Sequence, residues 1–190
     1  MPAWGGKDKK IGNNPLVIAV PKSNGSHVVI DCALSQFSYG KMENCRLKGE
    51  KLPVPGGYDS QGNLTNDPAE IEKTRRVLPI GYWKGSGISI VLDMIATILT
   101  NGNSVSKVGT FDSEVGLSQI MIAIDPAKFN VPELTDSIVD EIIRDIKASQ
   151  PVEERTPVFY PGERTIMTIE ENRKLGIPVI EEIWDAVRKM

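Results

Sequence analysis

Gly81-Tyr82-Trp83-Lys84-Gly85-Ser86-Gly87 runs directly into Ile88-Ser89-Ile90-Val91-Leu92-Asp93-Met94-Ile95-Ala96-Thr97-Ile98-Leu99, and Asn101-Gly102 follows. The part from Ile88 to Leu99 is apolar on nearly every face of a helix, a pattern that predicts a central, buried helix ended by the Asn-Gly pair. Ser89, Asp93 and Thr97 interrupt it, and it falls short of the ~20 apolar residues that cross a bilayer. The glycine-rich lead-in supports two readings equally. The first amides of a helix lack intrahelical acceptors and its amino end is partly positive, so glycines that let a ligand approach, with the Lys84 charge and the flat Trp83 ring, suit an anionic, ring-bearing nucleotide cofactor. Alternatively, the glycines only fit a tight loop against the core. The spacing matches neither the phosphate loop G-x-x-x-x-G-K-[ST] nor the Rossmann fingerprint, because Ile90 stands where the third glycine belongs.

Outward from this stretch, Leu16 to Val20 between Pro15 and Pro21 reads as a strand, Asn24-Gly25 as a hairpin turn, and His27 to Cys32 as a second, antiparallel strand. Ser35 to Lys48 predicts a helix, and residues 49–68 a long loop. Asp67-Pro68-Ala69-Glu70 is a helix start, with a capping acid and proline at the first helical position. Leu117 to Ile124 predicts a third, well-buried strand. Apolar residues at 134, 138, 139, 142, 143 and 146 mark an amphipathic helix between Pro132 and Ser149. Thr168 with Glu171 forms a capping box for a helix ending at Gly176, and Ile180 to Lys189 predicts a last helix with Ile183, Trp184 and Val187 buried.

The 190 residues suit one domain with a small appendage, read as a sheet domain over 1–150 around the helix 88–100 and a helical segment over 151–190. Lys plus Arg number 22 against 25 Asp plus Glu, and this net charge of -3 lacks the basic surplus of a nucleic-acid binder. The start, Met1 to Lys10, has no hydrophobic stretch and is not a secretion signal, so Cys32 and Cys45 read as reduced thiols of a cytoplasmic protein. Their spacing is not that of a zinc or redox pair, and with His27 as the only histidine no metal site is expected. His27 opens a strand and reads as an edge residue more readily than as a base. Asp31 at the end of that strand reads as a cap or surface charge. Arg164 in Pro161-Gly162-Glu163-Arg164 could pair with a phosphate or carboxylate, or lie in a solvated turn. No carboxylate cluster supports a metal-dependent kinase or hydrolase built on Lys84.

Several longer runs carry a resemblance: Ile11-Gly12-Asn13-Asn14-Pro15-Leu16, Phe37-Ser38-Tyr39-Gly40, Gly62-Asn63-Leu64-Thr65, the block from Gly81 to Gly87 continued by Val91 to Thr97, and Glu171-Asn172-Arg173. Through them, essentially the whole chain resembles the malate/L-lactate dehydrogenase family that lacks a Rossmann fold. The resemblance implies an α+β fold with a largely antiparallel, mixed sheet flanked by helices. It also implies an NADH-dependent (NAD) reduction of a keto group on a small sugar acid by a cytoplasmic homodimer. Carried over residue by residue, the cofactor contacts are His27, Val28, Val29, Ile30, Asp31, Cys32 and Ala33, then Trp83 and Lys84, then Gly162, Glu163 and Arg164. The chain departs from the pattern of a relative at Glu163, where a histidine stands, and at Asn13, where a threonine stands. The family's proton-donating histidine is expected upstream of Met1, so no catalytic residue is assigned and this chain looks like the C-terminal part of such an enzyme. The alternative is a nucleotide-binding or pairing remnant without turnover.

Overall fold

Pro15 and Pro21 bracket a β-branched run, and that run forms strand β1 (Leu16–Val20), which pairs with β2 (Val28–Cys32). The computed structural model describes residues 1–129, 132–152 and 157–190. After β2 come α1 (Tyr39–Leu47), β3 (Gly57–Tyr58), β4 (Leu64–Thr65), α2 (Pro68–Thr74), α3 (Trp83–Thr100), α4 (Val105–Val108), a single 3-10 turn at Pro126–Lys128, α5 (Pro132–Lys147), α6 (Glu163–Leu175) and α7 (Glu181–Arg188). The fold is α+β, as expected, with β3 and β4 antiparallel and registered Gly57 to Thr65 and Tyr58 to Leu64. The chain divides into two compact units, one of Met1–Leu16 with Asp31–Ala123 and one of Val17–Ile30 with Ile124–Met190.

In the first unit, α1 and α2 enclose a core of Leu34, Met42, Cys45, Leu52, Ile71 and Val77, against which Ile11, Phe37 and Leu92 pack. Asp67 caps α2 through its own side chain and Pro68 occupies the first turn, as the sequence predicts. Helix α1 starts later than expected because the Ser38 hydroxyl caps it, accepting from the Lys41 amide at 3.1 Å. Residues 49–68 are not a plain loop. They hold the β3–β4 pair, whose turn is closed by the Asp59 carboxylate accepting from the Asn63 amide at 2.8 Å. That bond holds the Asp59 carboxyl below its ordinary value.

An extended segment, Val77 to Ile80, is stitched on both sides. Leu78 O accepts from Gln36 N at 2.7 Å and Leu78 N donates to Gly56 O at 2.8 Å, while Ile80 N donates to Leu34 O at 2.9 Å. These bonds fix the point from which α3 departs. The helix begins at Trp83, five residues before the apolar run, and ends where Asn101 turns left-handed at φ 50°.

Burial of α3 differs from the expectation. Gly85, Ser86 and Ser89 are its buried residues, while Ile88, Val91, Met94, Ile95, Ile98 and Leu99 are exposed. Hydrogen bonding explains the choice of face. Ser89, fully buried, donates to Gly12 O at 2.9 Å and accepts from Asn14 Nδ2 at 3.1 Å, and the same amide donates to Ser89 O at 2.8 Å. Asn13 completes the anchor by accepting from Ser35 N at 3.0 Å. The third strand expected over Leu117 to Ile124 is likewise not formed. Apart from a parallel bridge between Asn103 and Leu117, no described residue offers that run a ladder, and Met121 and Ile122 are exposed. A strand requires a neighbour for its amides and carbonyls, which its own side-chain pattern cannot provide.

In the second unit the helices are close to expectation but lie bare. Ile183, Trp184 and Val187 of α7 are exposed, where burial was expected. Helix α6 starts at Glu163, so Thr168 and Glu171 lie inside it and form no capping box, whereas Gly176 ends it as expected.

The packing of α3 yields a test. A Cβ on Gly85 would lie 2.2 Å from Ile80 O, whereas one on Gly87 would meet nothing within 4 Å. Gly85→Ala should lower stability by about 1–3 kcal/mol through overpacking. Gly87→Ala should be neutral or stabilising by up to about 1 kcal/mol through helix propensity. Urea denaturation of the two variants side by side checks this, and equal midpoints would refute the tight start of α3.

Candidate functional site

The expected cofactor residues fall into two groups, one in each unit. In the first unit, Trp83 and Lys84 form the first turn of α3. The tight turn before them is held by Tyr82 at φ 60°. The amides expected to greet an anion are already occupied: Lys84 N donates to Gly81 O at 3.2 Å, Gly85 N to Ile80 O at 2.9 Å and Ser86 N to Tyr82 O at 3.2 Å. The helix start therefore offers side chains in place of a cradle of free N–H groups. Trp83 is 64% exposed, and the Lys84 ammonium stands 5.8 Å from its ring centroid. That arrangement presents a positive charge beside a flat aromatic face.

Trp4 joins this turn, and sequence reasoning missed it. Its amide donates to the buried Ser86 hydroxyl at 3.0 Å, and its ring lies 5.2 Å from that of Tyr82 at 59°. An aromatic residue beside Gly5-Gly6 was the available signal, but the separation of some eighty positions hid the contact. Asn14 and Ser89 were missed for the same reason. Of the other candidates in this unit, Cys32 donates its thiol to Leu16 O at 3.6 Å and Asp31 is exposed. Ala33 precedes Leu34, whose amide is held by Asn13 O at 2.9 Å.

In the second unit the structure brings together two segments far apart in sequence. Val29 N donates to Pro161 O at 3.2 Å. Gly162 sits at φ 94°, and a Cβ there would lie 3.1 Å from Val29 N and 3.2 Å from His27 O. Only glycine fits this turn against the β2 backbone, and the turn starts α6 with Glu163 and Arg164. The Glu163 carboxylate is engaged, pairing with Lys147 and accepting from Tyr160 N at 3.3 Å. The Arg164 guanidinium stacks 4.4 Å from the Phe159 ring centroid. His27 accepts from Lys22 N through Nδ1 at 3.0 Å, so only its Nε2 is free of that bond. This is an edge histidine closing the β1–β2 turn, as the sequence suggests. Val28 and Val29 are half-buried, and Ile30 is exposed.

The same turn is pinned to α5. Lys22 pairs with Asp140, which raises its pKa, and Asp136 accepts from the Ser23 hydroxyl and, at 3.2 Å, from Ser23 N. These bonds, the hydroxyl's first, hold the Asp136 carboxyl below its ordinary value.

Two solved dehydrogenases share this architecture. Sulfolactate dehydrogenase from Methanocaldococcus jannaschii superposes with a TM-score of 0.76 at 27% identity, covering 97% of this chain and 53% of that one. Malate dehydrogenase from Entamoeba histolytica shares the fold with a TM-score of 0.84 at 17% identity, over 99% of this chain and 56% of its own. Residues 1–188 match the malate/L-lactate dehydrogenase family, and the chain belongs to it. Among curated relatives, 2,3-diketo-L-gulonate reductase of Klebsiella pneumoniae (strain 342) is 46% identical across the whole chain. The Escherichia coli (strain K12 / DH10B) enzyme of that name is 44% identical. The chain spans 57% of the length of each.

The Asp136 contact has a defined pH dependence. Because the folded pKa is depressed, the contact contributes fully above the ordinary aspartate value of 3.8 and is lost as pH falls through the lower folded value. Protection of the Ser23 amide from exchange, measured by NMR relative to the intrinsic rate at each pH, should fall on acidification below that value, and Asp136→Asn should flatten the response. A Ser23 amide indifferent to acid would refute the contact.

Proposed function

We propose that this protein supplies the dinucleotide-binding part of an NADH-dependent reductase acting on 2,3-diketo-L-gulonate or a closely similar keto sugar acid. The observation that carries the reading is the 46% identity, without a break in coverage of this chain, to a protein named for that reaction.

The residues fit such a cofactor by their chemistry. A pyridine dinucleotide carries two phosphate charges and flat rings. Lys84 and Arg164 are exposed cations, each beside an aromatic ring, and Trp83 presents an open face. The carboxylate of Glu163 would repel phosphate if free, but Lys147 neutralises it. Asp31, Cys32 and Ala33 join Trp83 and Lys84 in the proposed contact set of the first unit. His27 to Ile30 join Gly162, Glu163 and Arg164 in that of the second. When bound, the dinucleotide supplies a hydride to the carbonyl. The developing alkoxide then needs a proton. Among the residues of this chain none is assigned that task, since His27 serves the β1–β2 turn.

A homodimer in the cytoplasm is part of the same proposal, supported by the family likeness and by the two free thiols, Cys32 and Cys45. Among the described residues no helix is long and apolar enough to cross a membrane. One observation favours a second reading, a nucleotide-binding module without turnover: the imidazole of His27 is engaged by Lys22 N in the β1–β2 turn. NADH oxidation by the 190-residue chain with 2,3-diketo-L-gulonate separates the two. Binding without turnover selects the module, and turnover the reductase.

Lys84→Ala should weaken NADH binding about tenfold, the effect of losing ~1.4 kcal/mol from one charged contact. Calorimetric titration checks it, and undiminished affinity would remove Lys84 from the site.

A further inference from the structure

We propose that Lys147, which lies outside the contact set, is a positioning residue for the dinucleotide: it holds the Glu163 carboxylate neutralised and aside, so that Arg164 sets the charge of the turn that starts α6. This role rests on the reductase reading and names the residue on which the second unit's half of that site depends. The turn places an acid and a base next to one another, Glu163 and Arg164. An acid suits the partly positive start of a helix, and Glu163 stands in the first turn of α6. For a phosphate that same carboxylate is a repelling charge beside the intended contact.

Lys147 removes the conflict from another helix. It is the last residue of α5, where a cation suits the partly negative end, and its ammonium pairs with Glu163 Oε1. The other oxygen, Oε2, accepts from Tyr160 N at 3.3 Å. Both oxygens are thus occupied, and the Glu163 side chain is 17% exposed. The same ammonium lies 5.8 Å from the Phe159 ring centroid and 6.0 Å from that of Tyr160.

Phe159 therefore carries two cations, since the Arg164 guanidinium stands 4.4 Å from its centroid. They differ in what else they hold. Lys147 is committed to Glu163, whereas Arg164 is exposed and has no carboxylate partner among the described residues. The ring orients the guanidinium plane, and Lys147 keeps the neighbouring carboxylate off it. The N–H groups of Arg164 are then left for paired bonds to phosphate oxygens.

Calorimetric titration of NADH into the 190-residue chain and three variants tests the role. Lys147→Met frees the carboxylate and should weaken binding roughly tenfold. Lys147→Arg keeps the charge at the end of α5 and should bind within about twofold of the unsubstituted chain. The double variant Lys147→Met/Glu163→Gln removes the carboxylate with its partner and should recover most of the lost affinity. A residue that only braced α5 against α6 would give no such recovery, because the double variant has no ion pair to restore. On the unsubstituted chain, NADH should shift the Arg164 Nε–Hε resonance and leave the Lys147 Cε–Hε signal in place, a reading that needs no variant to fold. A Lys147 signal that moves as far as that of Arg164 would make Lys147 a direct contact and overturn the role. Affinity unchanged by Lys147→Met, or a double variant as weak as the single one, would overturn it and leave the reductase reading standing. An unsubstituted chain that takes up no NADH would overturn both.

Discussion

The buried hydroxyl of Ser89 decides how this part of the molecule is assembled. It donates to Gly12 O while Asn14 donates to both its hydroxyl and its carbonyl, and these bonds hold the Gly12-Asn13-Asn14-Pro15 loop against α3. A buried hydroxyl without partners costs about 1–3 kcal/mol, so the face of the helix that carries Ser89 must turn towards the loop. Gly85 and Ser86 share that face, which lets the start of α3 approach Ile80 and the amide of Trp4. The apolar side is turned away as a consequence. The hydrogen-bonding face of the helix is therefore satisfied within this unit, while its apolar face is exposed among the described residues.

The candidate site inherits this arrangement. The turn that aims α3 uses the amides of Lys84, Gly85 and Ser86, so its tip presents the Lys84 charge and the Trp83 ring in place of free N–H groups. In the other unit the left-handed Gly162 lets a turn lie on the backbone of β2, and that turn sets Arg164 on Phe159 and Glu163 against Lys147. Both places are built from charged groups beside aromatic rings, with glycine used where the backbone is tight. This arrangement differs from the glycine-rich phosphate cradle of Rossmann domains, where free amides at a helix start carry the recognition. It agrees with the absence of that fingerprint from a chain belonging to a dehydrogenase family.

Much of the local structure was legible in the residues because its causes are local. Asp67 and Pro68 start α2, Asn101 ends α3 and Gly176 ends α6, each through a bond or a backbone angle spanning a few positions. The periodic isoleucines between Pro132 and Lys147 are helical for the same reason. What failed depended on distant partners. Thr168 and Glu171 have the spacing of a capping box, yet the Gly162 turn on β2 starts that helix earlier. The β3–β4 pair was hidden in a glycine- and proline-rich stretch because its two-residue strands carry no alternation to read.

The sequence by itself determined the class of fold and the family, since composition, caps and long matching runs are properties of order along the chain. Only the tertiary structure decided which side of α3 faces inward, that Trp4 reaches the Trp83 turn, and that Leu117 to Ile124 forms no strand among the described residues. The physical reason is common to all three. Burial and strand pairing are relations between surfaces remote in sequence, and a hydrophobic pattern states that a surface must be covered without stating by what.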